Sequence, residues 1–159
     1  MPKRLKIGDV FAVPLPNGTA GYVQYVADDA SMLDSYVIRV FRGVYDLAGP
    51  LDIAEVVSLE VAFYAHVFLK VCVMHGFWKN VGNAPVPDRI EVLFRGCWDD
   101  GNPDVKVSRR WYVWRINEPF QEIGTLSPTY EKAEIGSVLP PQSIVERMVT
   151  GRYTLGQPL

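Results

Sequence analysis

Apolar residues recur at every second position along much of this chain, and most such runs are closed by Gly, Pro, Asn or Asp. A strand sends successive side chains to opposite faces, so this period marks β structure. Asp9–Leu15 is the first run, closed by the turn Pro16-Asn17-Gly18. The Asn-Gly pair supplies the positive-φ residues of a tight hairpin and makes Gly21–Ala27 its partner. Ser35–Val44 follows, with Tyr36, Ile38, Val40 and Arg42 on one face and Val37, Arg39 and Phe41 on the other. Ile90–Cys97 and Arg109–Asn117 read as further strands, separated by the turn Asp99-Asp100-Gly101-Asn102-Pro103. Gln121–Thr125 is a short edge strand. Asn83–Asp88 carries Pro85 and Pro87, which cannot donate to a ladder, and is a loop.

The longest apolar run, Val61–Met74, has an unbroken apolar odd face from Val61 to Val73 and a mixed even face. One long bent strand, or two strands meeting at a bulge, satisfies it. It contains His66 and Lys70 and falls short of the about 20 residues a membrane span needs, so it belongs to a core. Gly49-Pro50 breaks the chain, and the period of Leu51–Glu60 is ambiguous. A helix is expected late in the chain. After Pro140 and Pro141, Ile144, Val145, Met148 and Val149 recur at helical spacing, and Gly151 stands where a C-terminal cap belongs. The expected architecture is a single domain over 1–159, mainly β (α+β). It is a strongly curved antiparallel sheet or partly open barrel with one C-terminal helix, because an open sheet leaves unpaired edges.

The 159 residues are 48% hydrophobic and 21% charged, enough for a core that needs neither disulfide nor metal. The net charge of −2 disfavours a general nucleic-acid or anionic-membrane binder. The N-terminal Met-Pro-Lys-Arg-Leu-Lys-Ile-Gly-Asp lacks the apolar stretch of a signal peptide. Cys72 and Cys97 sit in apolar runs and read as buried reduced thiols, which suits a cytoplasmic protein. Catalytic and metal-binding patterns are missing. There is no Gly-x-Ser-x-Gly, Cys-x-x-Cys, His-x-x-x-His, His-Glu-x-x-His or Walker motif, so neither an enzyme nor a cofactor is expected. His66 lies mid-strand among apolar neighbours, and His75 and Cys72 fall on opposite strand faces. Arg109-Arg110-Trp111-Tyr112-Val113-Trp114-Arg115 mixes bases and aromatics, but strand alternation splits it between two faces.

Charge is distributed unevenly. Between Gly43 and Leu69 there are four acids, Asp46, Asp52, Glu55 and Glu60, and no Lys or Arg. Such a run is either a solvated loop or an acidic docking surface for a basic partner. Trp78 and Trp98 lie near loops and are candidate contact residues, whereas Trp111 and Trp114 lie mid-strand and belong to the core.

The opening Lys6-Ile7-Gly8-Asp9-Val10-Phe11-Ala12-Val13-Pro14-Leu15, followed by Gly21-Tyr22-Val23-Gln24-Tyr25-Val26, resembles the Immunity protein 26 family. Members of that family are inferred to neutralise toxins of bacterial polymorphic toxin systems. The resemblance extends over about residues 6–45, with Val23 where a second glycine would often stand, and is loose beyond. It implies a protein that binds and neutralises a cognate toxin protein by occluding its active surface. The charge run and the loop placement, not the resemblance, make Asp46, Asp52, Glu55, Glu60, Trp78 and Trp98 the expected contacts. The chain would act as a monomer or homodimer, the latter through the Gln121–Thr125 edge. The alternative is a small-molecule or peptide-binding β module with a pocket lined by Tyr22, Tyr36, Tyr64 and Phe68.

Overall fold

The computed structural model describes residues 4–49, 51–155 and 157–159. Pro50 and residues 1–3, both used in the reading above, lie outside the described residues. The elements run β1 (Asp9–Leu15), β2 (Thr19–Asp29), β3 (Ser35–Phe41), β4 (Tyr45–Asp46), α1 (Ile53–Val57), β5 (Val61–Val67) and α2 (Leu69–Met74). They continue through β6 (Lys79–Asn83), β7 (Leu93–Cys97), β8 (Trp111–Arg115), β9 (Gln121–Gly124), β10 (Glu134–Ile135), β11 (Val138–Leu139) and α3 (Pro141–Thr150).

These strands form two sheets, not one curved sheet or a partly open barrel. The first has seven strands in the order β11-β5-β3-β2-β1-β6, with β4 added on β2. The second has four, ordered β10-β7-β8-β9. Both are mixed, because β11 runs parallel to β5 and β10 parallel to β7. The reason for two sheets is visible in the central strands. All of β1 except Pro14 is buried, so both of its faces need cover, which one helix cannot supply. The chain also cannot extend the first sheet past β6, since Pro85 and Pro87 then remove two ladder donors.

One face of the large sheet presents Phe11, Val13, Val23, Ile38, Val40 and Phe63 to Leu69 and Cys72 of α2, Trp78, and Ile144 of α3. The opposite face is divided. Val10, Ala12, Tyr22 and Phe41 lie beneath Val56 of α1, while Val26 and Val37 meet Phe94, Tyr112 and Trp114 of the second sheet. Between these clusters runs a buried polar stripe. Gln24 Nε2 donates to the Gly8 and Ala84 carbonyls at 3.1 and 2.9 Å, and Arg39 Nε donates to Gln24 Oε1 at 2.8 Å.

Val61–Met74 is neither one bent strand nor two. It is β5 followed by α2, and Leu51–Glu60 contains α1, so the C-terminal helix has two short companions. In the ladder with β3, Val67 is opposite Tyr36, next to the start of β3. The chain beyond Val67 therefore runs out of antiparallel partner and closes its hydrogen bonds on itself. Leu69 and Cys72, three apart, then face inward. An apolar run without polar breaks fits either period, so alternation alone did not distinguish them. The expected α3 forms, ending at Gly151 with φ 85°. Among the described residues no helix is long and apolar enough to cross a membrane.

Candidate partner-binding surface

The acidic residues sit on one stretch of the chain, residues 44–60, which links β3 to β5 and joins the large sheet on the way through β4. Its two ends are held differently. β4 pairs with Thr19 and Ala20 at the start of β2, and Tyr45 packs against Tyr22 with ring centroids 5.7 Å apart. α1 is anchored by Val56, which is buried over Val10 and Ala12. A five-residue helix has little stability of its own, so burial of Ile53, Val56 and Val57 holds it.

This scaffold sets the four carboxylates outward in different states. Asp46 accepts the Ala48 N–H at 2.9 Å, and Asp52 caps α1 by accepting the Ala54 N–H at 3.0 Å. Glu60 lies 3.2 Å from Arg42, both side chains being mostly exposed, which makes a weak surface pair. Glu55, in the first turn of α1, makes no ion pair among the described residues. Exposed apolar groups accompany them on the same stretch, namely Val44, Tyr45, Leu47 and Leu51. Acids interspersed with apolar side chains are what the charge pattern could not show.

The two tryptophans fare differently. Trp78 is 2% exposed in the core beneath α2 and α3, so it presents no surface to a partner. The cause is the turn after α2. Gly76 adopts φ 69°, and the Phe77 and Trp78 N–H groups both donate to the Cys72 carbonyl, which leaves Phe77 outside and Trp78 inside. Trp98 is half exposed, at the end of β7 in the second sheet, resting on Tyr112 and Phe120. It belongs to a different cluster from the acidic stretch. Tyr22, Tyr36 and Tyr64 lie in three separate clusters and Phe68 is exposed, so these four aromatics line no common pocket.

Alternation also missed an apolar surface around α2, where Phe68, Val71, Met74 and Phe77 are exposed. It borders an open cavity of about 780 Å³ lined by Arg4, Tyr25, Asp28, Asp34, Tyr36 and Lys70, among others. Burial, helped by a hydrogen bond to Asp28, pushes the Tyr25 phenol up.

A family model, Immunity protein 26, matches residues 6–106. The chain belongs to the Immunity protein 26 family. That name ties its members to immunity, which implies a cognate toxin partner. The match covers β1 through β7 and includes the acidic stretch, whereas β8–β11 and α3 lie beyond it. No curated protein and no solved structure matches the chain.

Proposed function

We propose that this Immunity protein 26 member neutralises its cognate toxin by binding it and covering its active surface, and that residues 44–60 carry the contact. What supports the reading is the stretch itself: outward carboxylates at Asp46, Asp52 and Glu55, interspersed with exposed Val44, Tyr45, Leu47 and Leu51, on a backbone fixed at both ends. Like-signed charge steers a basic partner into place, and apolar groups excluded from water then slow its departure. A standard interface takes about 800 Å² from each partner, roughly a tenth of this molecule's 9337 Å² surface. No bond is made or broken in this scheme, and it uses no cofactor.

The test is co-expression with the cognate toxin. Asp46→Lys combined with Glu55→Lys reverses two charges and leaves the Asp52 cap in place. The expected result is lost protection and an association rate at least about tenfold slower at low salt. Unchanged protection overturns the acidic-surface reading. A second reading, a ligand-binding β module, now rests on the cavity beside Tyr25 and Tyr36. A small ligand that raised the melting temperature and was blocked by Tyr36→Trp would favour it.

A further inference from the structure

α2 is apolar all round except for Lys70. Leu69 and Cys72 face the core, yet Phe68, Val71 and Met74, three apart, stand on the outer side with Phe77 just beyond, each between 43% and 64% exposed. A helix that is apolar on every side is ordinarily buried on every side. At about 200 Å² for a fully exposed large side chain, these four offer roughly 400 Å² of apolar surface. An interface between two copies takes about 800 Å² from each, about two thirds of it apolar, so the four supply most of what a stable dimer needs. The face does not end at the helix. Val73 and Met74 continue it into the cavity of about 780 Å³ whose charged groups are Arg4, Lys70, Asp28 and Asp34. None of these four makes an ion pair within the chain among the described residues. Asp28 accepts a hydrogen bond from the Tyr25 hydroxyl, and Asp34 stands exposed.

We propose that α2 is the two-fold contact of a homodimer, with Phe68, Val71, Met74 and Phe77 of each copy packed on those of the other and Lys70 of one copy paired with Asp34 of the second. An isologous contact sets one patch against itself, so a residue that meets a second is matched by the same pair in reverse. A patch of one sign repels its own copy, whereas two bases beside two acids cancel across a two-fold axis. The equal mixture argues against a strongly basic or strongly acidic protein at this face, since either meets two like charges. The β9 edge, the expected dimer contact, is a poorer candidate. It is four residues long, bulged against β8 and carries Glu122, all of which protect an edge from pairing. This dimer goes beyond toxin binding and does not depend on it. α1 and α2 cover opposite faces of the large sheet, so pairing through α2 keeps the acidic stretch of both copies outward.

The experiment is sedimentation equilibrium of the full chain from about 1 to 500 μM. The expected result is a reversible species of two chains. Val71→Asp places two carboxylates near the axis and weakens the dimer at least about tenfold, and Met74→Glu, at the most exposed of the four side chains, does the same without touching the core. Circular dichroism checks that each variant folds. Lys70→Glu and Asp34→Lys each weaken association, and their combination restores it. The mass of one chain throughout, a dimer that Val71→Asp and Met74→Glu leave intact, or a combined variant no better than its singles overturns the proposal. Asp46→Lys with Glu55→Lys leaves the dimer unchanged, and its loss there overturns the placement at α2. A chain that stays at the mass of one copy yet loses toxin protection through Val71→Asp shows that the toxin covers this face, which also overturns the dimer.

Discussion

Gly8 is the residue on which the first sheet's edge is hung. Its N–H donates to the Tyr25 carbonyl at 2.8 Å, and its own carbonyl accepts from the Ala84 N–H at 3.0 Å and from Gln24 Nε2 at 3.1 Å. It adopts φ 99°, and a Cβ there would stand 2.6 Å from the Ala84 carbonyl oxygen. The neighbouring Asp9 is fully buried and accepts from the Lys6 N–H and from Asn83 Nδ2, both at 2.9 Å. Gly8→Ala is therefore expected to lower the unfolding free energy by about 2 kcal/mol or more, read from the urea midpoint. The Asn17-Gly18 hairpin was legible, because Asn-Gly between alternating runs supplies the positive φ values a tight turn needs. Trp78 was not, since nothing in Gly76-Phe77-Trp78 says which of the two aromatics the turn rotates inward.

At the scale of elements, α1 combines a structural duty with the proposed functional one. Asp52 caps the helix and also adds to the acidic surface. Asp52→Ala should cost about 1 kcal/mol of stability, whereas Asp52→Asn retains an acceptor oxygen and should cost only a few tenths. Both remove the charge. Equal losses of toxin affinity in the two variants, with unequal melting temperatures, would separate charge from capping. Equal melting temperatures would show that the cap contributes little. The ambiguity of Leu51–Glu60 has the same origin. Five residues are too few for a helical period to declare itself, and burial of Val56 against Val10 and Ala12 decides the matter.

Across the whole molecule, Asp29 joins the two sheets. Its carboxylate is fully buried at the end of β2. Oδ1 accepts the Ser31 and Asn117 N–H groups, both at 3.0 Å, and Oδ2 accepts Trp114 Nε1 at 2.9 Å and lies 2.8 Å from His66 Nε2. Burial alone would raise the carboxyl's pKa, but the hydrogen bonds from Asn117, Trp114 and His66 hold it below the usual value. Burial holds His66 below its ordinary 6.5, against the pull of Asp29, so the imidazole is neutral and donates from Nε2. Its Nδ1 is buried without a partner. Both shifts favour the fold toward higher pH. Below about pH 6.5 the unfolded chain takes up a proton on His66 before the folded one does, and stability falls. At still lower pH the Asp29 contribution is lost as its carboxylate is protonated. The expected outcome is a melting temperature that declines below pH 6.5, followed by tryptophan fluorescence. His66→Gln, which keeps a donor for Asp29, should flatten that decline. A slope unchanged by His66→Gln would mean that other groups carry it.

Taken residue by residue, the chain's own order determined that β1, β2, β3, β7, β8 and β9 are strands, where the Asn17-Gly18 hairpin and the Gly151 cap fall, and where negative charge gathers. Each of these is set by neighbours within a few positions, through side-chain alternation, permitted φ values and charge. Pairings over long separations were decided only by the folded molecule. The split into two sheets follows from having to cover both faces of β1, and α2 forms where β3 no longer offers Val67's successors a partner. Asp29 and Trp114 meet 85 positions apart, as do, at 74, Asp9 and Asn83. A hydrogen bond or buried face of that kind depends on which distant segment arrives to complete it, and no local pattern encodes that arrival.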